Sequence, residues 1–178
     1  MPQACAVEWP KFIRFGLEDA KAGSLKVADA LPIVISDQVH SGCRVGEGWL
    51  RALIVDDSAV MRKVIERALR QAGLELTEVL QASNGEEGLQ ALRENHGTST
   101  PLALILSDIN MPVMDGLQFL EARREENLAQ GVPVVMITTE GNETFVLRAI
   151  AAGAQGYICK PFTAEQVKVR VLPLLRAA

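Results

Sequence analysis

Among its 178 residues the sequence has only three cysteines, Cys5, Cys43 and Cys159, an odd number with no C-x-x-C spacing. That disfavours both a disulfide framework and a zinc site, and a reducing cytoplasm is the expected setting. Long apolar runs are missing as well. Stretches such as Leu102 to Leu106 and Val132 to Ile137 fall far short of the ~20 residues a membrane span needs, so no membrane insertion is expected. Glu8, Lys11 and Arg14 interrupt the place where the apolar core of a signal peptide would lie. The net charge is -4 and no basic stripe stands out. A nucleic-acid surface, which relies on clustered Lys and Arg to release counterions, is therefore disfavoured. There are two histidines, His40 and His96. Both fall in loop-like sequence without evident partners, and solvent exposure is expected for each.

What is present is a regular rhythm. With 48% hydrophobic and 22% charged residues, the chain can bury one ordinary core and carry an extension. From Arg51 onward, short apolar runs alternate with amphipathic stretches through five cycles. The runs are Ala52–Val55, Leu76–Ala82, Leu102–Leu106, Pro133–Ile137 and Gly156–Cys159. Most lack alternation, as strands covered on both faces should, and only the second alternates, which places it at a sheet edge. Val60, Met61, Val64, Ile65, Ala68 and Leu69 recur at helical spacing and stop at Gly73. Asn84 with Glu87, and Thr163 with Gln166, have the spacing of capping boxes that open helices two and five. Helix three is expected from Leu117 to about Asn127, and helix four from about Glu143 to Ala152. Such a chain predicts an α/β fold, a doubly wound parallel sheet covered on both faces. Pro173 interrupts the last helical stretch and is expected to kink or truncate it.

Residues 1–50 do not share this rhythm. They contain five Lys or Arg, six Asp or Glu and one apolar run, Leu31–Ile35. So little apolar surface predicts a poorly ordered N-terminal extension, with residues 51–178 forming the domain. The stretch "GEGWL" is also compatible with a mis-assigned start, because its codons can spell a purine-rich ribosome-binding run ahead of Leu50.

In an open parallel sheet the reactive crevice lies beyond the carboxyl ends of the strands. "LIVDDS" places Asp56 and Asp57 after strand one, and "LILSD" places Asp108 after strand three. "VVMITTE" places Thr138 after strand four, and "YICKPF" places Lys160 after strand five. Three carboxylates gathered at one rim repel one another unless a cation sits between them. A few oxygen ligands in an open cleft suit Mg²⁺, which shares its shell readily with phosphoryl oxygens. An ammonium and a hydroxyl at the same rim supply donors for an anion that carboxylates alone would expel. The combination is built to hold a phosphoryl group on or near a carboxylate.

From Arg51 to the C-terminus, "VDDS", "SDINMPVMDG", "MITTE" and "KPF" occur in an order and at intervals that resemble the response-regulator receiver domain of two-component signalling. The likeness is greatest to the single-domain, CheY-like chemotaxis regulators. It implies a flavodoxin-like (βα)5 fold with strand order 2-1-3-4-5. It also implies that Asp108 is the phospho-acceptor, and that Asp56, Asp57, Asp108 and the backbone carbonyl of Asn110 hold Mg²⁺. Thr138 would be the switch hydroxyl, Lys160 the phosphoryl-binding lysine, and Tyr157 the aromatic that changes rotamer on activation. A histidine kinase would be the donor, with modest self-catalysed phosphorylation and dephosphorylation rather than enzymatic turnover. Lys160-Pro161 resembles the family's cis peptide.

Asn110 and Glu140 lie two residues beyond the acceptor and the switch hydroxyl. Both can contact an attacking water, so a short-lived phosphoryl group is expected. If Thr138 moves inward, Tyr157 can fill the vacated space and alter the face made by helix four, strand five and helix five. With nothing after helix five, output is expected to pass through that face to a downstream effector protein. Cys159 is expected to be a small core hydrophobe. The alternative function is a constitutive interaction module with a rarely used phosphorylation site, against which the acidic triad and Lys160 argue. A Mg²⁺-dependent phosphohydrolase is disfavoured because the sequence has no D-x-D nucleophile motif and no substrate-capping domain.

Overall fold

The apolar runs form strands and the amphipathic stretches form helices, in strict alternation. The structure, a computed structural model, describes residues 50–139 and 143–177. Expectations for residues 1–49, including His40, Cys5 and Cys43, and for Glu140 lie outside the described residues. The elements are β1 Leu50–Val55, α1 Ala59–Gln71, β2 Leu76–Ala82, α2 Gly85–Glu94 and β3 Leu104–Ser107. They continue with α3 Gly116–Glu125, β4 Val134–Thr138, α4 Glu143–Ala151, β5 Gly156–Cys159 and α5 Ala164–Ala177. All strand pairs are parallel, in the order β2-β1-β3-β4-β5. This is the flavodoxin-like order, with β2 at an edge as expected.

One face of the sheet, made by Ala52, Ile54, Leu104, Leu106, Val135, Ile137 and Ile158, packs against Ile65, Ala68 and Leu69 of α1. Val167, Val171, Leu174 and Leu175 of α5 complete that layer. The other face carries α2, α3 and α4. A Cβ on Gly88 of α2 would lie 3.0 Å from the Phe119 ring and 3.2 Å from Val55, which shows how closely α2, α3 and β1 approach there.

Several boundaries and faces differ from the sequence reading. Strand β1 begins at Leu50, one residue before the expected domain edge, because Leu50 pairs with Leu76. The pairing then skips Thr77 to join Arg51 with Glu78, and this bulge leaves Thr77 and Glu78 both exposed instead of alternating. Strand β3 starts at Leu104 rather than Leu102, and β4 at Val134 rather than Pro133. On α1 only Ile65, Ala68 and Leu69 of the apolar set are buried. Val60 is 73% exposed and Val64 45%, because the apolar stripe is wider than the surface the sheet covers. The opposite side of α1 presents Lys63, Arg67 and Arg70, all exposed, a short basic row that the sequence reading passed over. Cys159 is half-buried rather than core, since β5 is the other edge strand. His96 is exposed, as expected.

Helix α5 is not truncated at Pro173 and runs on to Ala177. The carbonyl that loses its amide partner belongs to Val169, four residues earlier. Val169 is exposed, so water can satisfy that oxygen.

The Thr163 box forms in full: the Gln166 amide donates to Thr163 Oγ1 and the Thr163 amide to Gln166 Oε1, at 3.2 and 2.8 Å. At Asn84 the box is displaced by one residue. Asn84 Oδ1 accepts from the Glu87 amide at 2.9 Å, but the Glu87 carboxylate accepts from Ser83 N at 2.7 Å. The Ser83 amide, together with its side chain, holds the Glu87 carboxyl below the usual value.

Two arginines are buried against expectation for their type. Arg51 ties β1 to Glu78, to Asn95 Oδ1 and to the Thr100 carbonyl. Arg123 on α3 donates through Nη2 to the carbonyls of Ala129 and Val132, which fixes the α3–β4 connection. Burial pushes its pKa down to about 10, so it still carries its proton at neutral pH.

The β3–α3 loop stores strain at one residue. Val113 has φ 69°, a left-handed conformation in which a β-branched side chain crowds the backbone. It is 78% exposed, so no packing depends on the isopropyl group. Val113→Asn is therefore expected to raise unfolding free energy by about 1 kcal/mol, because Asn tolerates this conformation. Urea denaturation measures it, and a destabilised variant would show that the side chain is held by something other than the loop backbone.

Candidate functional site

Strand order reverses at β1, with β2 on one side and β3 on the other, and the crevice beyond the strand ends opens there. The ladder carries one residue past each strand end. The Asp108 amide donates to the Val55 carbonyl at 2.8 Å, and the Asp56 amide to the Ala82 carbonyl at 3.1 Å. Both aspartates are thereby presented by the rigid sheet rather than by free loops.

Asp56 is fully buried. Its Oδ1 accepts from the Ser58 amide at 2.9 Å and its Oδ2 from Lys160 Nζ at 2.7 Å. Ser58 then caps α1, its side chain accepting from the Met61 amide. Asp108 is 7% exposed. Its Oδ1 accepts from the Ile109 amide at 2.7 Å and its Oδ2 from Lys160 Nζ at 2.8 Å. Ser107 Oγ donates to the Asp108 carbonyl at 2.9 Å. Asp57 is exposed. One oxygen from each of Asp56, Asp57 and Asp108 lies within 4.8 Å of the others.

Lys160 follows β5, and its own amide donates to the Thr138 carbonyl at 2.7 Å, so the β4–β5 ladder sets where the ammonium sits. Burial alone would lower its pKa, but the hydrogen bonds to Asp108 and Asp56 outweigh burial and hold it above the usual lysine value. The Lys160-Pro161 peptide is cis.

Thr138 is fully buried at the end of β4. It pairs in register with Cys159, and Met136 pairs with Tyr157. Registered neighbours in a parallel ladder project to the same face, so Thr138 and Tyr157 share a face two residues apart. Tyr157 is a buried aromatic, 6% exposed.

The loop after Asp108 leaves the sheet and returns as α3. Asn110 is exposed on it. The return is closed by the Gly116 amide donating to the Ile109 carbonyl at 2.8 Å. A capping box that the sequence reading missed fixes α3: Gln118 N donates to Asp115 Oδ1 at 2.8 Å, and Asp115 N to Gln118 Oε1 at 3.0 Å. Its signal was the spacing D-x-x-Q in "DGLQ".

The structure thus brings Asp56, Asp57, Asp108 and Lys160 together, with Thr138 on the neighbouring strand. Glu140 lies outside the described residues. Three hard-oxygen donors within 4.8 Å, one of them exposed, can hold a small divalent cation. A half-buried ammonium beside them can hold an anion.

Comparison with known proteins agrees with this fold. Residues 52–172 match the response regulator receiver domain. The chemotaxis protein CheY1 of Helicobacter pylori is 38% identical over 122 residues, covering 68% of this chain and 94% of that protein. A CheY homolog of Campylobacter jejuni is 35% identical over 126 residues, 71% of this chain and 92% of that protein. The solved structure of Vibrio cholerae CheY4 superposes with a TM-score of 0.58 at 32% identity, over 73% of this chain and 99% of that one. A putative response regulator from Chloroflexus aurantiacus gives 0.61 at 31% identity, over 71% and 97%. Sequence and topology therefore agree: the chain belongs to the response regulator receiver domain family and is similar to CheY chemotaxis proteins.

Proposed function

We propose that Asp108 accepts a phosphoryl group from the phosphohistidine of a histidine kinase in the cytoplasm, and that the modified domain changes its affinity for a downstream effector protein. The observation that carries this reading is the ammonium of Lys160 bridging Asp56 Oδ2 and Asp108 Oδ2 at 2.7 and 2.8 Å. A half-buried lysine between two carboxylates of a rim has a donor ready for an oxygen arriving at either.

In the reaction an Asp108 carboxylate oxygen bonds to phosphorus as the phosphorus–nitrogen bond breaks, and the imidazole leaves with the electron pair and takes up a proton. Catalysis is mainly positioning and charge neutralisation. Asp56, Asp57, Asp108 and the backbone carbonyl of Asn110 would hold Mg²⁺, which when bound neutralises transferred oxygens. Lys160 shifts a donor from a carboxylate to a phosphoryl oxygen, and the Thr138 hydroxyl donates to another. Asn110 and Glu140 orient the water that later hydrolyses the acyl phosphate, which keeps the modified state short-lived.

Phosphorylation adds about -1.5 to -2 charge and three strong acceptors. Moving Thr138 toward them frees space on the face it shares with Tyr157, and Tyr157 carries the change to the surface of α4, β5 and α5. Inverting a 1:99 equilibrium needs roughly 5.5 kcal/mol, whereas a hydrogen bond to a charged group contributes about 1.5–3 kcal/mol. The switch therefore works as a partial shift in population. Residues 51–178 with Leu50 form the receiver unit, and the preceding segment is an extension to it. The reading is tested by adding acetyl phosphate with and without Mg²⁺ and following intact mass. A transient, Mg²⁺-dependent gain of one phosphoryl group supports it, and no gain from either acetyl phosphate or a phosphorylated histidine kinase overturns it.

A further inference from the structure

We propose that Arg62 is a positioning residue for the acidic cluster, holding the Asp56–Asp57 peptide so that Asp57 stays aimed at the cation site. Arg62 stands in the first turn of α1, where its amide donates to the Ser58 carbonyl at 3.0 Å. Its side chain folds back toward the sheet. Nη1 donates to the Asp56 carbonyl at 2.6 Å, and Nε donates to Gln81 Oε1 on the edge strand β2 at 3.0 Å. With that bond in place every polar atom of Asp56 is engaged: the amide by Ala82, Oδ1 by Ser58, Oδ2 by Lys160 and the carbonyl by Arg62.

The carbonyl is the informative one, because it belongs to the peptide that links Asp56 to Asp57. Asp56 itself is buried and held by three other groups. Asp57 is exposed, and its direction is set by the plane of that peptide. Releasing the carbonyl lets the plane turn, and Asp57 then leaves the set of oxygens that lie within 4.8 Å of one another. Partners behind the direct ligands typically change metal affinity 10- to 100-fold when removed.

The inference rests on the phospho-receiver reading, and its sign separates it from simple charge effects. Arg62 is a cation near a cation site, so removing its charge alone would tighten Mg²⁺ binding. Loss of positioning weakens it. The test is calorimetric Mg²⁺ titration of the full chain as wild type, Arg62→Ala, Arg62→Met and Arg62→Lys, with melting temperatures in EDTA. Arg62→Ala is expected to bind Mg²⁺ about tenfold more weakly while melting in EDTA within a few degrees of wild type. Arg62→Lys, which can still reach the Asp56 carbonyl, recovers part of the loss. If Arg62→Ala does not fold, Arg62→Met keeps the aliphatic stem and is judged by the same criterion. Mg²⁺ binding by the folded variant that equals or exceeds wild type overturns the inference and leaves the receiver reading standing. A wild-type chain that binds no Mg²⁺ overturns the receiver reading itself.

Discussion

Gly116→Ala is expected to remove about 3 kcal/mol or more of stability and to abolish phospho-acceptance in whatever fraction remains folded. A Cβ at this position would overlap the Asp108 carbonyl oxygen, and would lie 2.9 Å from the Asp108 carbonyl carbon and 2.9 Å from Met136 Cε. The Met136 methyl can move, but the Asp108 carbonyl cannot move cheaply. It is tied to Ser107 Oγ, its residue's amide is bonded to Val55, and the Gly116 amide closes the loop on Ile109. Ordinary overpacking of a core costs about 1–3 kcal/mol, and a clash with fixed backbone belongs at the upper end of that range or beyond it. The requirement is for space rather than for an unusual backbone angle. Gly73→Ala is the control: Gly73 has φ 92° and open space around it, so only conformational strain of about 1–2 kcal/mol is expected. Urea unfolding of both variants measures the difference. Equal losses would mean that the α3 entrance relaxes more readily than its hydrogen bonds imply.

Lys160→Met is expected to slow phosphorylation of Asp108 by about 10²- to 10³-fold, the usual consequence of removing one preorganised donor to developing charge. Mg²⁺ binding should persist or tighten, because the variant takes a cation away from two carboxylates while leaving all three in place. That split identifies Lys160 as a group that handles the phosphoryl oxygens and not as a prop for the metal ligands. Stability adds a pH signature. The Lys160 pKa is raised in the folded state, so its favourable contribution is complete below the ordinary value of 10.5 and is lost as pH rises through the folded value. The difference in unfolding free energy between wild type and Lys160→Met should therefore narrow above that pH. A difference that stays constant would mean the ammonium is not what the carboxylates hold.

Much of this site was legible in the sequence because strand ends are easy to see. A short apolar run that stops at Asp56, Asp108, Thr138 or Lys160 announces where the sheet hands a polar group to the rim. The order in which those ends lie side by side came from family resemblance, and the parallel ladder agrees with it. Other features were not legible, for physical reasons that differ from case to case. Helical periodicity marked Val60 and Val64 as core, since spacing reveals a stripe but not how much of it the sheet can cover. Arginines are mostly exposed, and nothing local in the sequence marks Arg51 and Arg123 as exceptions; only tertiary carbonyls and side chains explain their burial. The bulge at Thr77 depends on register between β1 and β2, which no single segment encodes. The constraint on Gly116, the carbonyl of Asp108 against it, exists only once α3 is folded back. Arg62 carried no signal in the sequence, because its bond to the Asp56 carbonyl depends on how α1 meets the sheet.

The most direct measurement is intact mass over time for wild type and Asp108→Ala, each given acetyl phosphate and Mg²⁺. Wild type is expected to gain one phosphoryl group and then lose it, and Asp108→Ala to gain none. Equal gain by the variant, or no gain by wild type even from a phosphorylated histidine kinase, would contradict the assignment of Asp108 as the acceptor.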